Sequence, residues 1–109
     1  MAIDQKKYLR LFQNESEPHL EKIVKSTEKL QMGEENPEPH LTALAESLHY
    51  LKGALGLLGL KDLRESTIQA EKTVKQIIAE NRKAAPEETG ELIRVVELIR
   101  DTVQKSLET

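Results

Sequence analysis

His49 stands in a stretch whose residue types and spacing suit the transfer of an anionic group. His49, Gly53 and Gly56 fall on one flank of a helix, and Lys52 lies beside that flank. A neutral imidazole is a good nucleophile toward phosphorus, because its reference pKa of about 6.5 leaves one ring nitrogen unprotonated at neutral pH. Lys52 can reach an anion on the ring as a mobile point charge. The pattern indicates a histidine that accepts a phosphoryl group from one protein and gives it to another.

The two glycines favour access to this histidine. A glycine inside a helix costs about 1 kcal/mol relative to alanine, so two of them beside an exposed histidine indicate that the open space is used. A partner protein can approach the ring where no side chain stands one and two turns beyond it. We interpret Glu46, Gly53, Gly56 and Leu57 as partner-docking residues, although Leu57 could simply lie beyond the last regular turn.

The helix that carries His49 is predicted from a leucine seam at spacings of three and four residues. The seam consists of Leu41, Leu44, Leu48, Leu51, Leu55 and Leu58. His49 lies roughly 110–170° from the middle of this seam, so its ring is expected to face water. We predict Asn36 as the N-cap, Pro37 and Pro39 in the first turn, and Gly59 as the C-terminal stop.

A first helix is predicted before this one, from a cap at Asp4 to about Met32. Its expected buried side consists of Tyr8, Phe12, Ser16, His19, Ile23 and Leu30. Pro18 lies inside it and is expected to bend or divide the helix, because proline removes a backbone hydrogen bond.

Two more amphipathic helices are predicted after the leucine seam. Asp62 and Glu65 have capping-box spacing at the start of the third helix, and Pro86 marks the start of the fourth. Their seams are Leu63, Thr67, Ala70, Val74 and Ile77, followed by Leu92, Val96, Ile99, Val103 and Leu107. With short connections, we expect an all-α, antiparallel up-down-up-down four-helix bundle that forms one domain over residues 1–109.

Composition excludes several other classes of protein. The net charge is −3 and no basic stripe appears, which argues against nucleic acid as a partner. There is no Cys, and the three histidines do not have metal-ligand spacing. No run approaches the ~18 apolar residues of a membrane span, so we expect a cytoplasmic protein that does not bind membranes. The glycines after His49 follow a helical seam rather than a strand, so no ATP site is expected.

The stretch from His49 to Ala54, followed by Gly59, resembles the His-x-x-Lys-Gly-(Ser/Ala) signature of histidine-containing phosphotransfer (HPt) domains. Residues 8–20 are similar to the first helix of one group, the N-terminal phosphotransfer domains of CheA chemotaxis kinases. The resemblance implies a monomeric phosphoryl carrier without an ATP site of its own, with His49 as phosphoacceptor. Its partners would be a histidine kinase, or a kinase domain of the same protein, and a receiver domain whose Asp accepts the group. No cofactor would be bound stably, and the partners would supply Mg²⁺ and ATP.

Glu71 is predicted to lie beside His49. It lies about 100° round from the seam residue Ala70, on a flank that can face His49 in an antiparallel hairpin. Aligned on His49 and Gly59 without gaps, it also falls where the domains that this chain resembles have a glutamate beside the histidine. A carboxylate there would fix the ring tautomer and stabilise positive charge on the ring. The alternative is a surface glutamate paired with Lys75.

Two other functions remain open from the sequence. One is a helical docking or adaptor module without chemistry, in which residues 46–59 form a binding surface. The other is a relative that keeps the histidine but only binds and sequesters a response regulator. The chain could stand alone or be the first domain of a CheA-like kinase, and the similarity of its first helix and the start at Met1 favour the kinase.

Overall fold

Turns rich in glycine, proline and asparagine divide the chain into four helices in the computed structural model, which describes residues 5–109. The helices are α1 (Gln5–Gln31), α2 (Glu38–Leu57), α3 (Lys61–Glu80) and α4 (Pro86–Glu108). No β-strand occurs in the described part of the chain, so the prediction of an all-α fold is confirmed. The predicted cap Asp4 lies outside the described residues.

Backbone hydrogen bonds, rather than polar side chains, end α2 and turn the chain into α3. The Leu60 N–H donates to the Leu55 carbonyl at 3.1 Å, and the Gly59 N–H donates to the Gly56 carbonyl at 3.1 Å. Gly59 has a φ of 73°, in the left-handed region where a side chain would be strained. This closure leaves only three residues between α2 and α3, so the two helices must run antiparallel.

Two predicted N-caps are wrong. Pro37 rather than Asn36 occupies the cap position of α2, and no side chain caps this helix. Helix α3 begins at Lys61 after Leu60, so Asp62 lies inside the first turn instead of capping it. The tight turn at Gly59 brings the chain into α3 early, and Asp62 there faces the positive end of the helix dipole.

Helix α1 is not divided at Pro18, which contradicts one of the two outcomes expected for this residue. Its N-terminal seam is also shifted, because Leu9 is buried and Tyr8 is 50% exposed. The prediction of a buried Tyr8 is wrong, since Tyr8 and Leu9 both have helical spacing to Phe12 and the packing favours Leu9.

The bundle core is built from the predicted seams. Helix α1 packs against α2 and α4, and α3 packs against the same two helices, so each helix has two neighbours. The leucines of α2 from Leu41 to Leu55 are buried, whereas Leu58 and Leu107 are only partly buried. The antiparallel four-helix bundle is therefore confirmed. Its packing leaves one side of α2 facing solvent between α1 and α3.

Candidate functional site

His49 lies on the solvent side of α2. Its side chain is 69% exposed, and its Nδ1 atom is 3.1 Å from Oε2 of Glu71 on α3. Within residues 5–109, no group forms a hydrogen bond to the other ring nitrogen, Nε2. The ring is thus held from one side and accessible from the other.

Glu71 has the opposite environment, because its side chain is only 6% exposed. Lys52 donates a hydrogen bond from Nζ to Oε1 of Glu71 at 2.8 Å, and the Lys75 Nζ is 3.5 Å from Oε2. A buried carboxylate is costly unless it is paired and hydrogen-bonded. The two lysines and the imidazole provide these interactions from two helices. The sequence left open whether Glu71 pairs with His49 or with Lys75, and in the structure it contacts both.

Several opposing effects determine the pKa of Glu71. Burial alone raises this pKa, but hydrogen bonds from Lys52 and His49, with the charges of Lys52 and Lys75, outweigh burial and lower the pKa below its ordinary value. At neutral pH the carboxylate is ionised and can only accept hydrogen bonds. In the neutral form of the ring, the Nδ1 atom of His49 must therefore carry the proton for this contact to be a hydrogen bond, and the lone pair then lies on the exposed Nε2 atom.

The two glycines beside His49 differ in their surroundings. A Cβ atom built at Gly53 would have no neighbouring atom within 4 Å, so the space here is open. At Gly56, a Cβ atom would lie 3.1 Å from Nε and 3.2 Å from Cδ of Arg64 on α3. The space at Gly56 is thus taken in part by a side chain of this protein, which the sequence analysis did not anticipate.

The remaining predicted docking residues are exposed. Glu46 faces solvent, and Leu57, the last residue of α2, is 92% exposed. Leu57 borders a groove of about 470 Å³ between α1 and α2. Its lining consists of Gln5, Tyr8, Leu11, Phe12, Glu15, Tyr50, Ala54, Leu57 and Leu58. The contribution of α1 to this groove was not predicted, because Tyr8 was expected in the core.

Arg64 was also missed, although the sequence contained a signal for it. The flank of α3 that faces the exposed side of α2 carries Arg64, Ile68, Glu71 and Lys75 at spacings of four, three and four residues. Extending the flank of Glu71 by two turns toward the start of α3 would have identified Arg64.

Residues 5–109 contain neither a metal-ion cluster nor a membrane-spanning helix. No group of three or more His, Cys, Asp or Glu side chains is arranged to hold a metal ion there. No helix among these residues has the length and apolar character needed to cross a membrane.

Residues 7–108 match the family model described as Hpt domain, so this chain belongs to the Hpt domain family. Hpt domains carry phosphoryl groups in phosphorelay signalling, interact with histidine kinases and receiver domains, and have no catalytic ATP site of their own. Comparisons with curated proteins and with solved structures found no match. The family defines the class of reaction, and the geometry around His49 identifies the candidate phosphoacceptor.

Proposed function

We propose that this chain accepts a phosphoryl group on Nε2 of His49 and passes it to an Asp of a receiver domain. The observation that carries the proposal is the contact between an exposed imidazole and a buried carboxylate, with Nδ1 of His49 3.1 Å from Oε2 of Glu71. That contact orients the ring and leaves its nucleophilic nitrogen open to a partner.

In the loading step, the Nε2 lone pair attacks the terminal phosphorus of ATP held by a histidine kinase. A P–N bond forms, the bond from phosphorus to the ADP oxygen breaks, and ADP leaves with that electron pair. The ring becomes positively charged, while the Nδ1 proton stays in its hydrogen bond to Glu71. The ionised carboxylate stabilises this charge through the same contact.

In the unloading step, a carboxylate oxygen of the receiver Asp attacks the same phosphorus. The P–N bond breaks, and its electron pair returns to Nε2. His49 is again neutral, with its Nδ1 proton still donated to Glu71. Neither step requires a proton to leave the site, so Glu71 acts as a positioning residue rather than as a general base.

Lys52 supplies a positive charge that can follow the phosphoryl group. Its Nζ atom bonds Glu71 at 2.8 Å, and its side chain is long enough to turn from that carboxylate toward an anion on His49. The Nζ atom of Lys75 is 3.5 Å from the same carboxylate, so Glu71 still has a cationic partner when Lys52 moves.

The partners provide what the site lacks. The proposal assigns ATP and Mg²⁺ to the kinase and Mg²⁺ to the receiver domain, with no cofactor held stably by this chain. It places a monomeric carrier in the cytoplasm, acting on proteins rather than on nucleic acid or membranes. The resemblance of residues 8–20 to CheA-type domains favours chemotaxis and a CheA-like kinase as the setting.

The experiment uses phosphoramidate, a small phosphodonor, followed by mass spectrometry and acid treatment. We expect one acid-labile phosphoryl group on the wild-type protein and none on His49→Gln. His40→Gln is the matched control, because His40 lies at the start of α2 and makes no contact with Glu71. Transfer is then measured with a panel of purified receiver domains and Mg²⁺. A docking module without chemistry predicts no labelling, and a sequestering relative predicts labelling without transfer.

A further inference from the structure

Arg64 lies across the exposed side of α2 without a partner of its own. Its Nε and Cδ atoms lie close to Gly56, at 3.1 and 3.2 Å from the position of an ideal Cβ atom there. Its backbone N–H donates to the Leu60 carbonyl at 3.0 Å, but among the described residues the Arg64 side chain forms no hydrogen bond and no ion pair. A guanidinium group that rests on a glycine and faces solvent is available to an anion from another molecule.

Arg64 is level with Gly56 in the same way that Glu71 is level with His49. Going seven residues along α2 from His49 reaches Gly56, and going seven residues back along α3 from Glu71 reaches Arg64. At 1.5 Å per residue, the two levels are about 10 Å apart. Arg64 is therefore too far along the bundle to hold the phosphoryl group, but close enough to contact the protein surface around it.

The exposed side of α2 has different borders on its two edges. At about 100° per residue, Gly56, His49, Gly53 and Leu57 cover an arc of about 100°. Arg64 on α3 forms the charged edge next to Gly56, whereas Leu57 leads to the apolar groove between α1 and α2. A partner that covers His49 must meet both edges, so it needs an anionic group on one side of its reactive centre.

We propose that Arg64 is a specificity-determining contact for the receiver domain, pairing with a carboxylate at the rim of the receiver's acceptor site. This inference rests on the proposed function. A site that holds Mg²⁺ beside the accepting Asp is built from carboxylate oxygens, so its rim is anionic. The planar guanidinium can bind such a carboxylate with two hydrogen bonds, and its contact with Gly56 limits the freedom lost on docking.

The charges near this edge fit an acidic partner, although the whole chain has a net charge of −3. The flank of α3 facing the site carries Arg64, Glu71 and Lys75, and Lys52 from α2 adds a further positive charge. Glu71 is buried beneath its cations, so these positive groups dominate the surface beside His49. Of the two exposed acids on α2, Glu38 lies at its start, and Glu46 lies one turn before His49, on the side opposite Gly56.

The test measures transfer from phosphoramidate-loaded protein to the receiver domain that accepts phosphate fastest in the panel. For Arg64→Gln we expect the apparent KM for the receiver to rise about fivefold, the effect of one exposed charge pair, with little change in the maximal rate. Raising NaCl from about 50 to about 300 mM should slow wild-type transfer more than that of the variant. Arg64→Lys keeps the positive charge but lacks the planar guanidinium group. Its apparent KM should therefore lie between those of the wild-type protein and Arg64→Gln.

Two further variants separate docking from general damage. Arg94→Gln removes an exposed arginine from α4, which does not contact α2, and should leave the apparent KM at the wild-type value. Gly56→Ala requires the Arg64 side chain to shift by only a few tenths of an ångström, so it should raise the apparent KM less than Arg64→Gln does, and it should have little further effect in the Arg64→Gln background. Folding of each variant is checked by its thermal transition.

The outcomes are distinct. If Arg64→Gln transfers with the wild-type KM, the role of Arg64 is overturned while the phosphoryl carrier remains. A fall in maximal rate without a change in KM would mean that Arg64 acts on the reacting groups, which also overturns the docking role. Labelled wild-type protein that transfers to no receiver in the panel overturns both this inference and the proposed function.

Discussion

Glu71 and Glu88 are both carboxylates whose pKa values are held below the ordinary value, but their partners differ in kind. Glu88 accepts two hydrogen bonds from Arg82, at 2.8 and 2.9 Å, and one from the Ala85 N–H at 2.8 Å. These partners lie within six residues of it, in the connection between α3 and α4. Glu71 instead binds side chains from two helices, and one of them is the exposed ring of His49.

The difference shows what marks a functional carboxylate in this fold. The hydrogen bonds from Arg82, followed by the one from Ala85, lower the pKa of Glu88 to about 2, and all of them hold one loop against the start of α4. No imidazole lies in that loop. A lowered pKa alone therefore does not distinguish the proposed site from a structural ion pair, whereas the exposed imidazole beside Glu71 does.

The largest expected difference between the two carboxylates is in chemistry. Glu71→Gln should slow phosphoramidate labelling of His49 by about tenfold, because the neutral amide stabilises positive charge on the ring poorly. Glu88→Gln should label at the wild-type rate. The labelling rates are measured by mass spectrometry at one phosphoramidate concentration and pH.

Ring nitrogen NMR distinguishes positioning from structural damage in the same variants. In wild type, the Nδ1–H tautomer of His49 should predominate among neutral rings, and Glu71→Gln should increase the Nε2–H form. An unchanged tautomer population together with unchanged labelling would remove Glu71 from the site.

A smaller effect on phosphoryl transfer is expected from substitution of Gly53, which has open space around it and lies on the helix that carries His49. Gly53→Gln should slow transfer to a receiver several-fold by steric exclusion, while labelling by phosphoramidate changes little. Gly90→Gln on α4 is the matched control, because Gly90 also has open space around it. Both substitutions should stabilise their helices by about 0.5 kcal/mol, so slower transfer in Gly53→Gln alone would be a steric effect. Transfer at the wild-type rate would contradict our explanation of the open space.

The parts of the fold that follow from periodicity could be predicted from the sequence. The predicted seam residues of α3 recur every three or four positions and are buried, as are the leucines of the α2 seam from Leu41 to Leu55, and this spacing also places Glu71 on the flank that meets His49. The start of α3 could not be predicted from side-chain preference, because the backbone closure at Gly59, which was predicted as the stop of α2, also sets where α3 begins. An aspartate is favourable both at the N-cap and in the first turn of a helix. The residue type of Asp62 therefore did not indicate which of these two positions it occupies.

The position of Arg64 beside Gly56 could not be predicted from the spacing of residues within one helix. Whether a side chain of α3 covers a glycine of α2 depends on the axial register of the two helices, and the three-residue turn sets that register. Tyr8 is a similar case, since only packing against the other helices decides between it and Leu9. Both missed features lie at edges of the exposed side of α2, where no regular seam constrains the sequence.

The smallest expected effect concerns Glu88 and acts on stability alone. Its pKa falls from 4.5 to about 2 on folding, so the ionised form stabilises the folded state, fully above about pH 4.5 and progressively less as the pH falls toward 2. Glu88→Gln should therefore lower the melting temperature by roughly 2–5 °C at pH 7, since Arg82 is solvent-accessible and screening limits the gain. This difference should shrink below pH 4.5 and vanish near pH 2, as followed by circular dichroism at a series of pH values. A difference that persists at pH 2 would show that packing or the Ala85 hydrogen bond, and not the charge, accounts for the role of Glu88.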